Sequence, residues 1–295
     1  MKFVIYGTYI PADQMVEVAR DAERLGFDGI SIPDHVVFPH AYGSSYPYPA
    51  KSSGDRAPWD EACEWPDPLI MATAMTAATE RLRVITGIFV LPMRHPLLVA
   101  KAVSTLEIAS GGRFVFGVGV GWLEEEYKAL GAQFRRRGKR SEEMIEVMRK
   151  AWSGERFSHS GEFYEIGEMT MRPAPQRPVP LYLGGDSDRT VDRAARLADG
   201  MLPPLNSEKV TSKNMETIAE RRRELGIEAP FEYIAPATSA KAPDRIEELA
   251  DAGVEAVHID PFAMYVQRYG GLTLEQRRES LERYAEEIVR PVNGG

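Results

Sequence analysis

The chain has 295 residues, of which 43% are hydrophobic and 27% are charged, as is typical of a globular protein. Its net charge of −8 argues against binding to nucleic acid, and no apolar run reaches the roughly 20 residues needed to span a bilayer. The single cysteine, Cys63, excludes an intrachain disulfide and a zinc-ribbon or iron–sulfur site, which favours a reducing, cytoplasmic location.

Segments typical of strands alternate with segments typical of helices along the whole chain. The pattern predicts eight strands, at residues 3–9, 28–33, 83–91, 113–121, 180–185, 200–203, 231–238 and 256–261. It predicts helices at residues 11–25, from 67, at 96–110, from 123, at 141–152, at 187–198, up to 225, from 244 and at 273–289. We expect Asp244 and Thr273 to cap their helices, each with a capping-box partner three residues later, Glu247 and Gln276.

Eight strand–helix units with short links predict a (β/α)8 TIM barrel, formed by one domain over residues 1–295. A doubly wound sheet is the alternative, but eight regular units favour closure. Two segments are too long to be plain links: a loop at 35–66 after the second strand, and an insertion at 154–179 before the fifth strand. Residues 157–166 of the insertion predict a hairpin.

The pair Asp34–His35 ends the second strand, at the face where barrel enzymes place their chemistry. A histidine there is suited to proton transfer near neutral pH, although one structural hydrogen bond would equally explain it.

Two glycine-containing segments end other strands. In residues 117–122, GVGVGW, alternating glycines would let the backbone approach a planar ligand, but the segment lacks the dinucleotide fingerprint. In residues 183–187, LGGDS, glycines before a helix would present amide groups to a phosphate, whereas a tight turn capped by Ser187 is the alternative. The carboxylate of Asp186 would repel a phosphate unless it points away.

A metal site is not expected. The five histidines form neither a His-x-His pair nor a His-Glu-x-x-His motif, and no Gly-x-Ser-x-Gly elbow is present. The densest basic run, RRRGKR at 135–140, is interpreted as a solvated loop or helix start.

Taken in order, these motifs resemble the luciferase-like monooxygenase superfamily over nearly the whole chain. The strongest stretch is WPDPLIMATAMTAATERLRVITGIFVLPMRHPLLVAKAVSTLEIASGGRFVFGVGVGWLEEEYKALG, followed by RGKRSEEMIEVMRKAW and LYLGGDSDRTVDRAARLADG. The superfamily fold is a (β/α)8 barrel with an insertion. The Asp-His pair resembles the branch that uses the deazaflavin coenzyme F420.

The resemblance implies roles for residues at the ends of strands two and three. Asp34 would contact the ring region of the cofactor, and His35 would donate or accept the proton beside the reacting carbon. A non-proline cis peptide bond would fall at Ile88–Phe89 and form a bulge behind the ring.

Further cofactor contacts are implied after strands four and five. Val120, Gly121 and Glu125 match positions after strand four, and Gly184 and Gly185 match phosphate contacts, with Ser187 at the start of the following helix. Trp122 stands where some deazaflavin dehydrogenases of sugar phosphates have a catalytic glutamate, which argues against that activity. Pro33 departs from the branch pattern and leaves FMN open.

The sequence therefore predicts hydride transfer through F420, to or from a small organic substrate. Aromatic residues of the 35–66 loop suggest an apolar or aromatic substrate, and loop packing is the other interpretation of them: Phe38, Tyr42, Tyr46, Tyr48, Trp59 and Trp65. Phe38, Tyr46, Trp59 and Trp122 are the residues expected to contact the substrate. The alternatives are an FMN-dependent monooxygenase supplied by a separate reductase, and a non-catalytic flavin or deazaflavin carrier. The resemblance also implies a homodimer formed through the helices after strands two and three.

Overall fold

The computed structural model describes residues 1–48, 56–238, 240–266 and 270–294. The strands are β1 Lys2–Tyr6, β2 Gly29–Ile32, β3 Arg83–Thr86, β4 Phe89–Val90, β5 Phe114–Gly119, β6 Arg156–Ser160, β7 Glu165–Thr170, β8 Leu181–Gly184, β9 Gly200–Leu202, β10 Glu232–Pro236 and β11 Ala256–Ile259. The helices are α1 Ala12–Leu25, α2 Pro68–Ala77, α3 Pro96–Ala109, α4 Glu124–Ala129, α5 Arg137–Trp152, α6 Asp188–Leu197, α7 Thr211–Glu224, α8 Pro243–Asp251, α9 Pro261–Val266, α10 Leu274–Tyr284 and α11 Arg290–Asn293.

The parallel strands close into a barrel. The sheet order is β3-β2-β1-β11-β10-β9-β8-β5-β4, and β3 also pairs with β5, which joins the two edges. Since β3 and β4 are two halves of the third barrel strand, eight parallel strands form the barrel and the helices surround it. The (β/α)8 prediction is confirmed. Within the described residues, the β6–β7 hairpin and residues 35–48 and 56–66 of the predicted loop depart from this pattern. Residues 49–55 of the loop prediction lie outside the described residues.

Local signals place several helix ends correctly. The left-handed Gly26 (φ 89°) ends α1, Asp67 caps α2 through the amides of Leu69 and Ile70, and the capping box of Thr273 with Gln276 is present. The cap predicted at Asp244 is wrong, because α8 begins one residue earlier, at Pro243. The fixed backbone of this proline suits a first helical position, so extended Ala242 precedes the helix.

A partly buried ion-pair cluster connects strands that are distant in sequence. Arg83 on β3 binds Glu232 on β10 with an Nη2–Oε2 distance of 2.7 Å, and Lys2 Nζ lies 2.7 Å from Oε1 of the same carboxylate. Burial opposes ionisation of Glu232, but its hydrogen bonds to Arg83, Lys2 and Tyr182 outweigh burial and lower its pKa to about 2. The cluster ties the two sides of the barrel together.

No helix in the described ranges is long and apolar enough to cross a membrane. No group of three His, Cys, Asp or Glu side chains in the same ranges is placed to hold a metal ion.

Candidate active site at the barrel mouth

A cavity of about 1140 Å³ opens where the barrel strands end and the described parts of the 35–66 loop, residues 35–48 and 56–66, fold over them. Most of the residues predicted to bind cofactor or substrate line it: Asp34, His35, Tyr46, Trp59, Ile88, Val120, Gly121, Trp122, Gly184, Gly185 and Ser187. Phe38, Phe89 and Glu125 were also predicted to contact a ligand, but they are not part of the cavity wall. Each of these three side chains is held by contacts with its own neighbours.

His35 is held by a carboxylate that the sequence did not single out. Its Nδ1 lies 3.0 Å from Oε2 of Glu126 on α4, and Oε1 of Glu126 accepts the backbone N–H groups of Val36 (2.5 Å) and Val37 (3.2 Å). Since an ionised carboxylate only accepts hydrogen bonds, Nδ1 is the protonated nitrogen. The pair therefore fixes the tautomer of His35 and leaves Nε2 free to exchange a proton.

Aromatic rings surround the other sides of His35. The ring of Trp65 lies 4.8 Å from the imidazole centroid, Trp59 lies at 5.8 Å, and Trp122 lies at 6.3 Å. Nε1 of Trp59 and of Trp65 is buried without a hydrogen-bond partner, so the two indoles offer mainly carbon surface to the cavity. Phe38 packs edge-on against His35 and against Tyr42, behind this layer.

Asp34 joins the ends of β2 and β4. Its carboxylate pairs with Arg94, with Nη2 2.8 Å from Oδ1 and Nη1 2.5 Å from Oδ2, and accepts the backbone N–H of Val90 at 2.8 Å. The Asp34 side chain is buried, and these contacts occupy both of its carboxylate oxygens. The cofactor contact expected of Asp34 stays a prediction.

The non-proline cis peptide bond lies at Gly87–Ile88, one residue before the predicted Ile88–Phe89. The smaller residue takes the crowded position: a Cβ on Gly87 would lie 2.8 Å from Cβ of Ser31. Ile88 lines the cavity, whereas Phe89 is directed into the core. There its ring centroid lies 5.4 Å from the ring centroid of Phe116.

The glycines near Ile88 make room for its side chain. A Cβ on Gly119 would lie 2.3 Å from Cδ1 of Ile88, and a Cβ on Gly184 would lie 2.2 Å from its Cγ2. The two glycines end β5 and β8, so Ile88 wedges between two strand ends. Gly119 and Gly184 still line the cavity together with Gly121, so the approach of a planar ligand to the alternating glycines stays a prediction.

The first turn of α4 anchors the 35–66 loop at a second place. Glu125 accepts the N–H of Gly43 and the hydroxyl of Ser44, each at 2.7 Å, and Ser44 Oγ also accepts the N–H of Glu124 at 3.0 Å. These hydrogen bonds lower the pKa of Glu125 despite the opposing effect of burial. Glu125 is therefore directed to the loop, which explains its absence from the cavity wall.

One end of the cavity has features suited to an anion. Ser187 caps α6, with its Oγ 2.8 Å from Oγ1 of Thr190, and both residues line the cavity beside the left-handed Gly185 (φ 122°). Asp186 is held by the hydroxyl of Ser207 at 2.5 Å, which gives its carboxylate a partner after β9. Free amides at the start of a helix and two hydroxyls favour a phosphate.

The basic run begins α5, in line with its interpretation as a helix start, but two of its side chains turn inward and one of them reaches the same cavity. Nε of Arg137 donates to the carbonyls of Val120 and Gly121, each at 3.1 Å, and Arg137 lines the cavity. Burial lowers its pKa. Arg140 is also buried and donates to the carbonyl of Pro92. The sequence carried no signal for this, because a charged run is usually exposed.

Comparisons with known proteins show the family and the fold of the chain. The family model described as luciferase-like monooxygenase matches residues 3–292. Uncharacterized protein Rv0940c of Mycobacterium tuberculosis is 32% identical over 277 residues, which is 94% of this chain and 95% of the relative. An FMNH(2)-dependent dimethylsulfone monooxygenase of Pseudomonas putida is 38% identical over 131 residues, 43% of this chain and 36% of the relative. The coenzyme F420 dependent tetrahydromethanopterin reductase of Methanopyrus kandleri has a similar fold, with a TM-score of 0.72, 16% identity and 99% coverage of both chains.

Proposed function

Because the chain belongs to the luciferase-like monooxygenase family, we propose that it is an F420-dependent oxidoreductase acting on a small apolar or aromatic compound. The observation that carries the proposal is His35. It lies at the end of a barrel strand, lines the cavity, and is fixed by Glu126 with Nε2 free.

The residues around the cavity fit a phosphate-bearing flavin or deazaflavin. The cavity volume of about 1140 Å³ exceeds the range usual for drug-sized ligands. The start of α6, with Ser187 and Thr190, would hold a phosphate, and the cation of Arg137 lines the same cavity. Ile88 would support a planar ring from behind.

A bound deazaflavin supplies hydride transfer, which this chain has no group to perform. His35 exchanges the accompanying proton with the substrate at Nε2, because Nδ1 is committed to Glu126. The Trp59 and Trp65 rings exclude water from this point and present carbon surface to the substrate. An apolar or aromatic substrate fits such a surface, since it loses little hydration there.

An FMN-dependent monooxygenase with a separate reductase is the second candidate. The phosphate-binding features at α6 would serve FMN equally, and the relative from Pseudomonas putida is FMNH(2)-dependent. A non-catalytic carrier would not require a histidine with a fixed tautomer inside the cavity.

A homodimer is proposed through α2 and α3. These helices pack against each other, and on their outer faces Ile70 is 69% exposed and Leu98 is 73% exposed. A second copy of the same apolar face would cover both side chains symmetrically.

The proposal is tested by mixing the protein anaerobically with reduced F420 and a panel of apolar ketones, enones and imines, while F420 absorbance is followed. We expect at least one compound to reoxidise F420, and His35→Ala to slow the reaction by about 100-fold or more. Turnover of the same compounds only with reduced FMN and oxygen would favour the second candidate instead.

A further inference from the structure

The cavity has a polar wall at β11, formed by His258 and Asp260. Both residues line the cavity, and they stand two positions apart at the end of one strand, so both side chains project to the same side. The sequence did not single them out.

The carboxylate of Asp260 accepts hydrogen bonds from backbone amides, and no side chain among the described residues donates to it. Its Oδ1 accepts the N–H of Ala263 at 2.9 Å, the N–H of Phe262 also acts on the carboxylate, and Asp260 forms no ion pair with another described residue. The charge of Arg277 lowers the pKa of Asp260. Its guanidinium, however, donates to Gln14 Oε1 (3.0 Å) and to the carbonyl of Tyr9 (2.5 Å) rather than to the Asp260 carboxylate. Burial raises the pKa of Asp260 to about 6, although the amides at the start of α9 and the charge of Arg277 oppose the shift.

His258 has an unused nitrogen. Its Nε2 lies 2.9 Å from Oγ of Ser31, and its Nδ1 is buried with no hydrogen-bond partner. Burial lowers the pKa of His258 to about 3, so the ring is neutral and has one N–H. If the Ser31 hydroxyl donates to Nε2, only the Nδ1–H is unsatisfied. The opposite tautomer would leave both the Ser31 hydroxyl and Nδ1 unsatisfied, so it is disfavoured.

We propose that His258 and Asp260 form a donor–acceptor pair that binds the amide or imide edge of a ligand. The Nδ1–H of His258 would donate to a ligand carbonyl, and the Asp260 carboxylate, which has no side-chain donor among the described residues, would accept the adjacent ligand N–H. Buried polar groups without partners are uncommon, and a ligand with this edge satisfies both at once. The edge could belong to the pyrimidinedione ring of a flavin or deazaflavin, or to an amide-bearing substrate. This assignment deepens the proposed function and rests on it for the identity of the ligand.

The test uses glutarimide and N-methylglutarimide, which differ in one N–H, with binding followed by saturation-transfer difference NMR on the purified protein. We expect wild-type protein to bind glutarimide at least fivefold more tightly. Asp260→Asn keeps an oxygen for the Ala263 amide but places an NH2 group where the second oxygen was. It should therefore remove the preference.

Asp186→Asn is the matched control, because it replaces a cavity carboxylate that already accepts a hydrogen bond from the Ser207 hydroxyl. This variant should still bind glutarimide more tightly than N-methylglutarimide. Displacement of glutarimide by F420 or FMN would identify the cofactor ring as the source of the edge, and simultaneous binding would point to the substrate. Equal binding of the two imides, or no binding of either to the wild type, would overturn the inference. The outcome does not depend on which cofactor the enzyme uses, so it is separable from failure of the proposed function.

A second readout needs no ligand. Because its pKa is raised in the folded state, Asp260 contributes more stability at low pH than at high pH, and that contribution is lost as the pH rises through about 6. Asp260→Asn should therefore raise the melting temperature relative to wild type at pH 8 but not at pH 4. A lower melting temperature at pH 8 would mean that the carboxylate has a structural partner and would overturn the inference.

Discussion

The Nδ1 atom of His35 lies 3.0 Å from Oε2 of Glu126, although the two residues are 91 positions apart in the chain. The same carboxylate holds the first two amides of the loop that follows His35. Glu126 therefore sets both the orientation of the imidazole and the start of the loop that closes the cavity.

Removing either member of this pair should affect turnover differently. His35→Ala should lower kcat by about 10²–10⁴-fold, the range usual for loss of a general acid or base. Glu126→Gln keeps the loop amides bound but offers an NH2 group toward Nδ1 in one of its orientations, so we expect a smaller loss of up to about 100-fold. Steady-state kinetics of both variants check this, with Glu125→Gln as the control that alters only the loop anchor at Gly43 and Ser44. Equal kcat for Glu126→Gln and wild type would remove Glu126 from the mechanism.

The wedge at Ile88 predicts a specific rescue. Gly119→Ala should destabilise the protein by about 1–3 kcal/mol, because the new Cβ would lie 2.3 Å from Cδ1 of Ile88. Ile88→Val removes Cδ1 and should recover most of that loss in the double variant. Gly184→Ala meets Cγ2 instead, at 2.2 Å, and valine retains that carbon, so the same substitution should not rescue it. Urea unfolding of the two double-mutant cycles measures the difference, and identical coupling in both would contradict this packing.

The Glu232 cluster predicts a pH-dependent stability. Since the pKa of Glu232 is lowered to about 2 in the folded protein, its contribution is fully present above its ordinary value of 4.5 and is lost as the pH falls toward 2. The shift corresponds to about 3 kcal/mol at pH 7. Glu232→Gln should cost about that amount at pH 7 and less than half as much at pH 3, by chemical denaturation. A cost that does not change with pH would show that packing, rather than charge, is the source.

The proposed dimer makes a simple prediction. Replacing Ile70 or Leu98 with glutamate places a charge in the proposed interface, so the variant should be monomeric where the wild type is a dimer in light scattering after size exclusion. Glu80→Lys, on an exposed residue beyond the end of α2, is the control and should not change the mass. A monomeric wild type would contradict the dimer.

Features decided by neighbouring residues could be predicted from the sequence. Eight strand–helix units, the left-handed Gly26 and the Thr273 capping box depend on local patterns, and the structure has all of them. The position of His35 followed from the rule that barrel sites lie at the ends of strands.

Features decided by contacts between distant segments could not be predicted. Three consecutive glutamates, 124–126, begin α4, and nothing local shows that only Glu126 reaches His35. The roles of Gly119 and Gly184 depend on Ile88, which approaches them only once the barrel has closed. The position of Arg137 in the cavity wall could not be predicted for the same reason, because the residue stands in a charged run and its contacts with Val120 and Gly121 form only in the folded chain.

The measurement that tests the central claim most directly is an equilibrium titration of the purified protein with F420 and with FMN, followed by the fluorescence of each cofactor. We predict micromolar or tighter binding of F420 and at least tenfold weaker binding of FMN, with Arg137→Gln weakening both if the cavity at the barrel mouth is the site. Tight binding of FMN with weak binding of F420 would contradict the F420 assignment and direct the next experiment to oxygen consumption.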